Sequence, residues 1–427
     1  MNSPSPKAAR RRHPQARPLL LAAALGLAAL GARAGEVEVL HWWTSGGEAR
    51  AAQALKATLQ AKGHTWKDFA VAGGGGDSAM TVLKSRVVSG NAPSAAQIKG
   101  PALQEWAREG VLSPIDDVAR AERWDELLPK VVADQMKYRG SYIAVPVNVH
   151  RVNWLWANPE VFKKAGAKPP TNWDEFFTAA DALKKAGVIP LAHGGQNWQD
   201  LTLFEAVALG QGGPEFYAKA LVQLDPAAIA SPTMEKVLAT FKRIKPYTDK
   251  NAPGRDWNLA TGLVIKGEAG MQIMGDWAKG EFLAAGKKPG RDFVCLAAPG
   301  AVKTFSYNID SLAMFALKKD ANVKAQKDLA AAVMGAEFQE SFNLAKGSIP
   351  VRQGVKLDRF DDCAKASAAD FAATAKAGTL LPSIAHGMAV SAAAEGAIKD
   401  VISNYWNSER MTPADAIKRL LAAAKMR

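Results

Sequence analysis

Between Val37 and Gly110, short apolar runs alternate with amphipathic stretches, and few folds accept that order. Val37, Val39 and Leu40 form a buried strand, Gly46-Gly47 a turn, and Ala52, Leu55 and Leu59 the inner stripe of a helix ending near Gly63. TWKDFAVAG reads as a second strand, and DSAMTVLKSRVVSG as a helix with Met80, Leu83 and Val87 inward. SAAQIKG ends a third strand, and PALQEWAREG is a helix with Pro101 in its first turn and Gly110 past its end. The alternation predicts an α/β chain with a parallel sheet covered by helices on both faces. In such sheets a ligand lies beyond the carboxyl ends of the strands.

What stands at those ends is therefore informative. Trp42 and Trp43 are adjacent where the first strand stops. Neighbours in a strand point to opposite faces, so a core seldom needs both, whereas at a strand exit both reach outward. Glu48 follows at the start of the first helix, placed either to complement the helix dipole or to accept hydrogen bonds from a ligand. Gln97 and Lys99 flank Ile98 at the third strand's end, so both face the crevice while Ile98 enters the core; for Lys99 a solvated surface position is the alternative. The glycine run Gly73 to Gly76 lacks the Lys-Ser/Thr of a phosphate loop and the spacing of a dinucleotide fingerprint. It reads as a strand-to-helix turn that also lets backbone approach a ligand.

Downstream the pattern changes. SYIAVPVNVHRVNWLWANP is β-rich with Pro146 in its middle, which suits an edge or a crossing segment. Helices follow in NPEVFKKAG, NWDEFFTAADALKKAG and LTLFEAVALG, and strand-like FVCLAAPG and SLAMFAL return later. Two discontinuous lobes are expected, 35–146 with about 308–346, and about 147–307 with 347–427. Trp154 and Trp156 share a strand face and read as core or crevice wall.

The first 34 residues carry Lys7, Arg10, Arg11, Arg12, Arg17 and Arg33 ahead of or beside PLLLAAALGLAALG and an Ala32-Arg33-Ala34 cleavage signature. This predicts a secretory signal peptide removed after Ala34, and a periplasmic protein. Those six basic residues, with no acidic ones among them, bring the formal charge of +13 down to +7 for the mature chain. The remaining cations are scattered along helices such as FKRIK and AIKRL, which reads as solvated faces and excludes nucleic acid as a partner. Cys295 and Cys363 are the only cysteines, and in an exported protein two cysteines imply one disulfide.

GVLSPIDD at Gly110 to Asp117, GSYIAVPVNVHRVNWLWANPEVFKKAG, PPTNWDEF, IKGEAGMQIMGDWAKGEF and FNLAKGSIPVR at Phe342 to Arg352 appear in that order. With them the chain resembles the extracellular solute-binding proteins of ABC sugar importers, the group that includes maltose-binding protein. HWW, NID at Asn308 to Asp310 and LPSIAHGM bring it nearest to glucose- and mannose-binding members. The resemblance implies a two-lobed periplasmic-binding-protein fold with a ligand cleft between lobes joined by a hinge that the chain crosses several times. It implies a monomer that closes on a monosaccharide and delivers it to ABC permease subunits, with no cofactor, no metal and no catalysis. Indole faces suit the C–H face of a pyranose and polar side chains its hydroxyls. The substrate-binding set expected on these grounds is Trp42, Trp43, Glu48, Gln97, Lys99, His150, Trp257, Trp277, Asp310, Lys346 and His386, with Asn148 close by.

The rival readings are binding of another mono- or oligosaccharide and, behind it, a secreted glycosidase using Glu48 and Asp310 as its carboxylate pair. A nucleophile elbow, an HExxH helix and a metal-spaced histidine cluster are all missing from the sequence.

Overall fold

Strands β1 (Glu36–His41), β2 (Thr65–Ala70) and β3 (Ala95–Gln97) alternate with helices Gly46–Ala61, Asp77–Val88 and Pro101–Arg108, and β1 pairs in parallel with both β2 and β3. This computed structural model describes residues 34–426. The signal segment expected ahead of them lies outside the described residues. In the first helix the line facing the core is Ala51, Leu55 and Leu59, with Ala52 half-buried beside it.

A small hairpin, β4 (Lys137–Tyr138) and β5 (Ser141–Tyr142), leads into β6 (Ala144–Arg151) and β7 (Trp154–Ala157). β8 (Ile189–Leu191), β9 (Ala269–Ile273) and β10 (Val294–Ala297) complete a second sheet in the order β10-β7-β9-β8. β11 (Phe305–Met314) then returns to the first sheet, antiparallel to both β6 and β3, and β12 (Leu380–Pro382) pairs with it in parallel. The first sheet is therefore mixed rather than wholly parallel, because β11 enters it from the direction of the second sheet. Pro146 sits opposite Ser311 where the β6–β11 register shifts, so its missing N–H falls at an irregularity in the ladder.

Separate apolar cores back the two sheets. Val37, Leu40, Leu55, Leu83, Phe315, Leu329 and Phe342 belong to the first. Phe176, Phe204, Phe241, Tyr405 and Trp406 belong to the second, which is largely helical. A third cluster gathers Trp154, Trp156, Trp257, Trp277, Phe282 and Phe293 beside the second sheet. Trp154 and Trp156 are thus packing residues, and the Trp156 indole donates to the Met274 carbonyl at 2.8 Å.

The chain passes between the first core and the others around Val152, between β10 and β11, and before β12. Ile349, Val351, Phe360, Ala364 and Phe371 pack in the first core although the sequence reading assigns 347–427 to the second lobe; Leu381 is the next residue to enter the second core. Helix Asp362–Ala377 carries Ala364 and Phe371 of this set, and its Cys363 is bonded to Cys295 of β10. The expected disulfide is therefore formed, and it ties the second sheet to a helix of the first core. Among the described residues no helix is long and apolar enough to cross a membrane.

Candidate functional site

β1 ends at His41, and the next two residues diverge in role. Trp43 stacks on His41 at 5.3 Å and meets Phe342 edge-on at 5.4 Å, so much of its indole belongs to the first core. Its Nε1 nonetheless donates to Asp310 Oδ2 at 3.3 Å. Trp42 is held by its backbone N–H to Gln97 Oε1 at 3.3 Å, and Lys99 Nζ lies 5.2 Å from its ring centre. Gln97 and Lys99 leave β3 on one side, while Ile98 is buried in the first core.

Glu48 stands in the first turn of helix Gly46–Ala61, where its charge complements the helix dipole. One carboxylate oxygen accepts from the Ser45 N–H at 3.4 Å and the other from Lys346 Nζ at 2.8 Å. Lys346 is brought there by helix Ala336–Lys346, which ends at Gly347 in a left-handed conformation.

The paired strands β6 and β11 supply the centre. His150 lies opposite Asn308 and Asn148 opposite Asp310. His150 is bonded through Nδ1 to Asp276, and its Nε2 lies 3.2 Å from Asp310 Oδ2. Burial alone would lower the His150 pKa, but the carboxylates of Asp276 and Asp310 outweigh it and raise it. Burial would likewise raise Asp310, but the hydrogen bond and charge of His150, with the charges of Lys346 and Lys99, hold its carboxyl far below the usual carboxylate range. Asp310 is an ionised acceptor. The general acid of a glycosidase needs the opposite environment.

The far wall comes from the other cores. Trp257 and Trp277 begin helices Trp257–Lys266 and Trp277–Ala284. Trp277 meets His150 edge-on at 5.2 Å and His386 at 4.8 Å, and Trp198 meets His386 at 5.7 Å. Burial, with the charges of Lys99 and His150, pushes the His386 pKa well down, so its imidazole is neutral and offers one donor and one acceptor.

These groups converge on one tight cavity of about 30 Å³. All eleven residues expected from the sequence line it, joined by Trp198, Asn308, Gly74 and Gly75. Asn148 bonds to Ser348 Oγ at 3.1 Å behind the wall. A Cβ on Gly74 would lie 2.8 Å from both Trp198 and Trp257, and one on Gly75 2.9 Å from Trp198, so the glycine turn lets those indoles close over the cavity. Asn308 was legible in NID, two residues from Asp310 and so on the same strand face. Its Oδ1 is buried without a hydrogen-bond partner, an acceptor left open at the cavity wall. Trp198 gave no local signal, because only the fold of helix Asn197–Tyr217 against β12's exit brings it in. Among the described residues no cluster of three or more His, Cys, Asp or Glu side chains is placed to hold a metal.

Comparison with known proteins agrees with this geometry. The model of the bacterial extracellular solute-binding protein family matches residues 44–340. A probable sugar-binding periplasmic protein of Brucella suis is 48% identical over 418 residues, covering 95% of this chain and 99% of that one. A glucose-binding protein of Saccharolobus solfataricus is 26% identical over 250 residues, 55% of this chain and 45% of its own length. The structure of a chitin oligosaccharide binding protein superposes with a TM-score of 0.78 at 19% identity, covering 92% of this chain and 98% of that one, which establishes the same fold. By its two sheets, its cavity between them and its sequence, this chain belongs to the bacterial extracellular solute-binding proteins, which bind solutes rather than transform them.

Proposed function

We propose that the protein binds a hexopyranose, glucose or mannose, in the periplasm and delivers it to the membrane subunits of an ABC importer. The observation that carries this reading is the composition of this cavity: indoles of Trp42, Trp198, Trp257 and Trp277 surround ionised Asp310, unpaired Asn308 Oδ1 and the cations of Lys346 and His150. Apolar faces above and below a ring, with acceptors and donors around its edge, are what a pyranose presents in complement. The Brucella suis and Saccharolobus solfataricus relatives are named for sugar and glucose binding respectively, which supports the class of ligand.

Entry requires motion. Trp43, Gln97, His150 and Asp310 are at most 3% exposed, and contacts hold the mouth shut. Gly47 N–H donates to Glu281 Oε1 at 2.7 Å, and Lys399 Nζ reaches both Asp77 oxygens at 2.8 and 2.9 Å. We read the two cores as lobes, the first comprising 35–146 and about 308–346 with the late apolar residues up to Phe371, hinged where the chain crosses. Cleavage after Ala34 and a monomeric state belong to the same reading. Titration calorimetry with glucose, mannose, galactose, xylose and maltose tests it. Glucose or mannose is expected to bind most tightly; absence of heat with every sugar overturns the reading.

A further inference from the structure

Behind the cavity wall, Glu205 is buried in helix Asn197–Tyr217, beside the segment that carries His386 into the cavity. We propose that Glu205 is a positioning residue for the ligand site: its acid proton completes a hydrogen-bond chain through Tyr217 that holds the turn from Pro382 to Ala385, and so sets where His386 stands. The proposal rests on the reading of the cavity as a hexose site, and adds pH control of its affinity.

The carboxyl grips the turn at several points. Oε1 accepts from Ser383 Oγ at 2.7 Å, and Oε2 lies 2.9 Å from Tyr217 Oη and 3.2 Å from the Ala385 amide nitrogen. Tyr217 Oη accepts from the Ile384 N–H at 3.2 Å and lies 3.0 Å from the Pro382 carbonyl oxygen. Glu205 and Tyr217 are 12 residues apart, which a straight helix spreads over ~18 Å, so the break at Gly213 is what returns the phenol to Glu205. The phenol has one proton and two acceptors. A protonated Glu205 resolves this, because its O–H donates to Tyr217 Oη and the phenol proton goes to Pro382. An ionised Glu205 takes the phenol proton for itself and leaves Pro382 without it. It also places a charge among neutral groups: Ser306 of β11 and, after β12, Ser383, Ile384 and Ala385. Of the groups facing it Tyr217 alone titrates, and burial pushes its pKa well up. Burial lifts the Glu205 carboxyl to about 7.

His386 is fixed from the same helix. Thr202 donates its hydroxyl proton to the Trp198 carbonyl at 2.8 Å, so toward His386 Nε2, at 3.2 Å, it can only accept. The neutral imidazole therefore carries its proton on Nε2, and Trp198 and Trp277 pack against the ring. A turn that slackens at Ser383 and Ala385 moves this ring away from the cavity.

Calorimetry on the mature protein at about pH 6 and about pH 8.5, with whichever of glucose and mannose binds better, tests this. Wild type is expected to bind about tenfold more weakly at the higher pH. Glu205→Gln, which stays neutral with a donor and an acceptor, is expected to hold its affinity within about threefold across the range, and Glu205→Ala to bind about tenfold more weakly than wild type at the lower pH. Tryptophan emission without sugar reads the same movement through Trp198 and Trp277, and is expected to change with a midpoint of about 7 in wild type and not in Glu205→Gln. A wild-type affinity independent of pH, or a decline that persists in Glu205→Gln and so belongs to His150, refutes the positioning role while hexose binding stands. If neither sugar binds, the hexose reading fails, and the emission titration decides alone: a flat wild-type profile refutes the role of Glu205.

Discussion

Replacing Trp42 and Trp43 in turn by Ala separates the indole proposed to cover the sugar from the one that also holds the core. A buried Trp covers ~150–250 Å², so one face of the Trp42 ring against a sugar removes about 100 Å² from water, worth ~2.5 kcal/mol or about fifty- to a hundredfold in affinity. Trp42 lies at the edge of the first core, and it also lines the cavity and meets Lys99 and the glycine turn. Trp42→Ala is therefore expected to lose that affinity with a smaller drop in the unfolding midpoint than Trp43→Ala. Trp43 is 2% exposed, stacks on His41, meets Phe342 and donates to Asp310. Its removal is expected to cost ~3–5 kcal/mol of folding stability as a core cavity, and to weaken sugar binding as well by freeing Asp310 of a donor. Trp42→Phe should recover part of the affinity by restoring a flat apolar face, and Trp42→Leu less. Glucose calorimetry beside thermal unfolding without sugar reads both effects. Normal binding by Trp42→Ala, or a stability loss matching that of Trp43→Ala, refutes the division of roles.

Burial pushes the Glu205 carboxyl up to about 7, against the hydrogen bonds it accepts from Ser383, Ala385 and Tyr217. The native chain thus keeps a proton that the unfolded chain releases near 4.5, so stability is highest below that value and falls by about 3 kcal/mol as pH rises through about 7. Thermal scans between about pH 5 and 8 should show that decline, and Glu205→Gln should flatten it. Thiol titration of the denatured, unreduced protein should find no free thiol, since Cys295 is bonded to Cys363; reduction should lower the melting temperature, the loop model allowing at most ~4 kcal/mol for a separation of 68 residues. Small-angle scattering should show a more compact particle at saturating glucose than without it, because a ligand touching both lobes favours the closed state; identical profiles would remove the hinge.

How much of this was legible depended on whether a residue's role is local. The strand exits could be read because period-two alternation fixes Gln97 and Lys99 on one side of Ile98, and because adjacent tryptophans do not suit a strand interior. The disulfide followed from a count of two in an exported chain. Long-range partners were beyond reach. Asp276, which anchors His150, stands 126 residues from it, and its GDWAKGEF setting drew attention to Trp277 instead. Glu205 looks like one polar break in LTLFEAVALG until β11 and the segment after β12 are seen to surround it with Ser306, Ser383 and Ala385. The reversal of β11 was hidden for the same reason. A strand's pattern records which face is buried, not which neighbour it pairs with.

The order of charges in the site explains why it holds a ligand rather than cuts one. Asp276 pins His150 and raises its pKa; the resulting cation lies against Asp310 and keeps it ionised. Lys346 pairs with Glu48 at 2.8 Å. Each carboxylate is thus in contact with a cation before any ligand arrives, and the charges around Asp310 deny it the proton that leaving-group departure would need. The same pairing makes the cavity close to neutral as a whole, so a neutral polyol gains hydrogen bonds to ionised groups without adding an uncompensated charge to a buried site. On the proposed reading, burial then works in favour of selectivity: a sugar that lacks a hydroxyl at Asn308 would leave its buried Oδ1 without a donor.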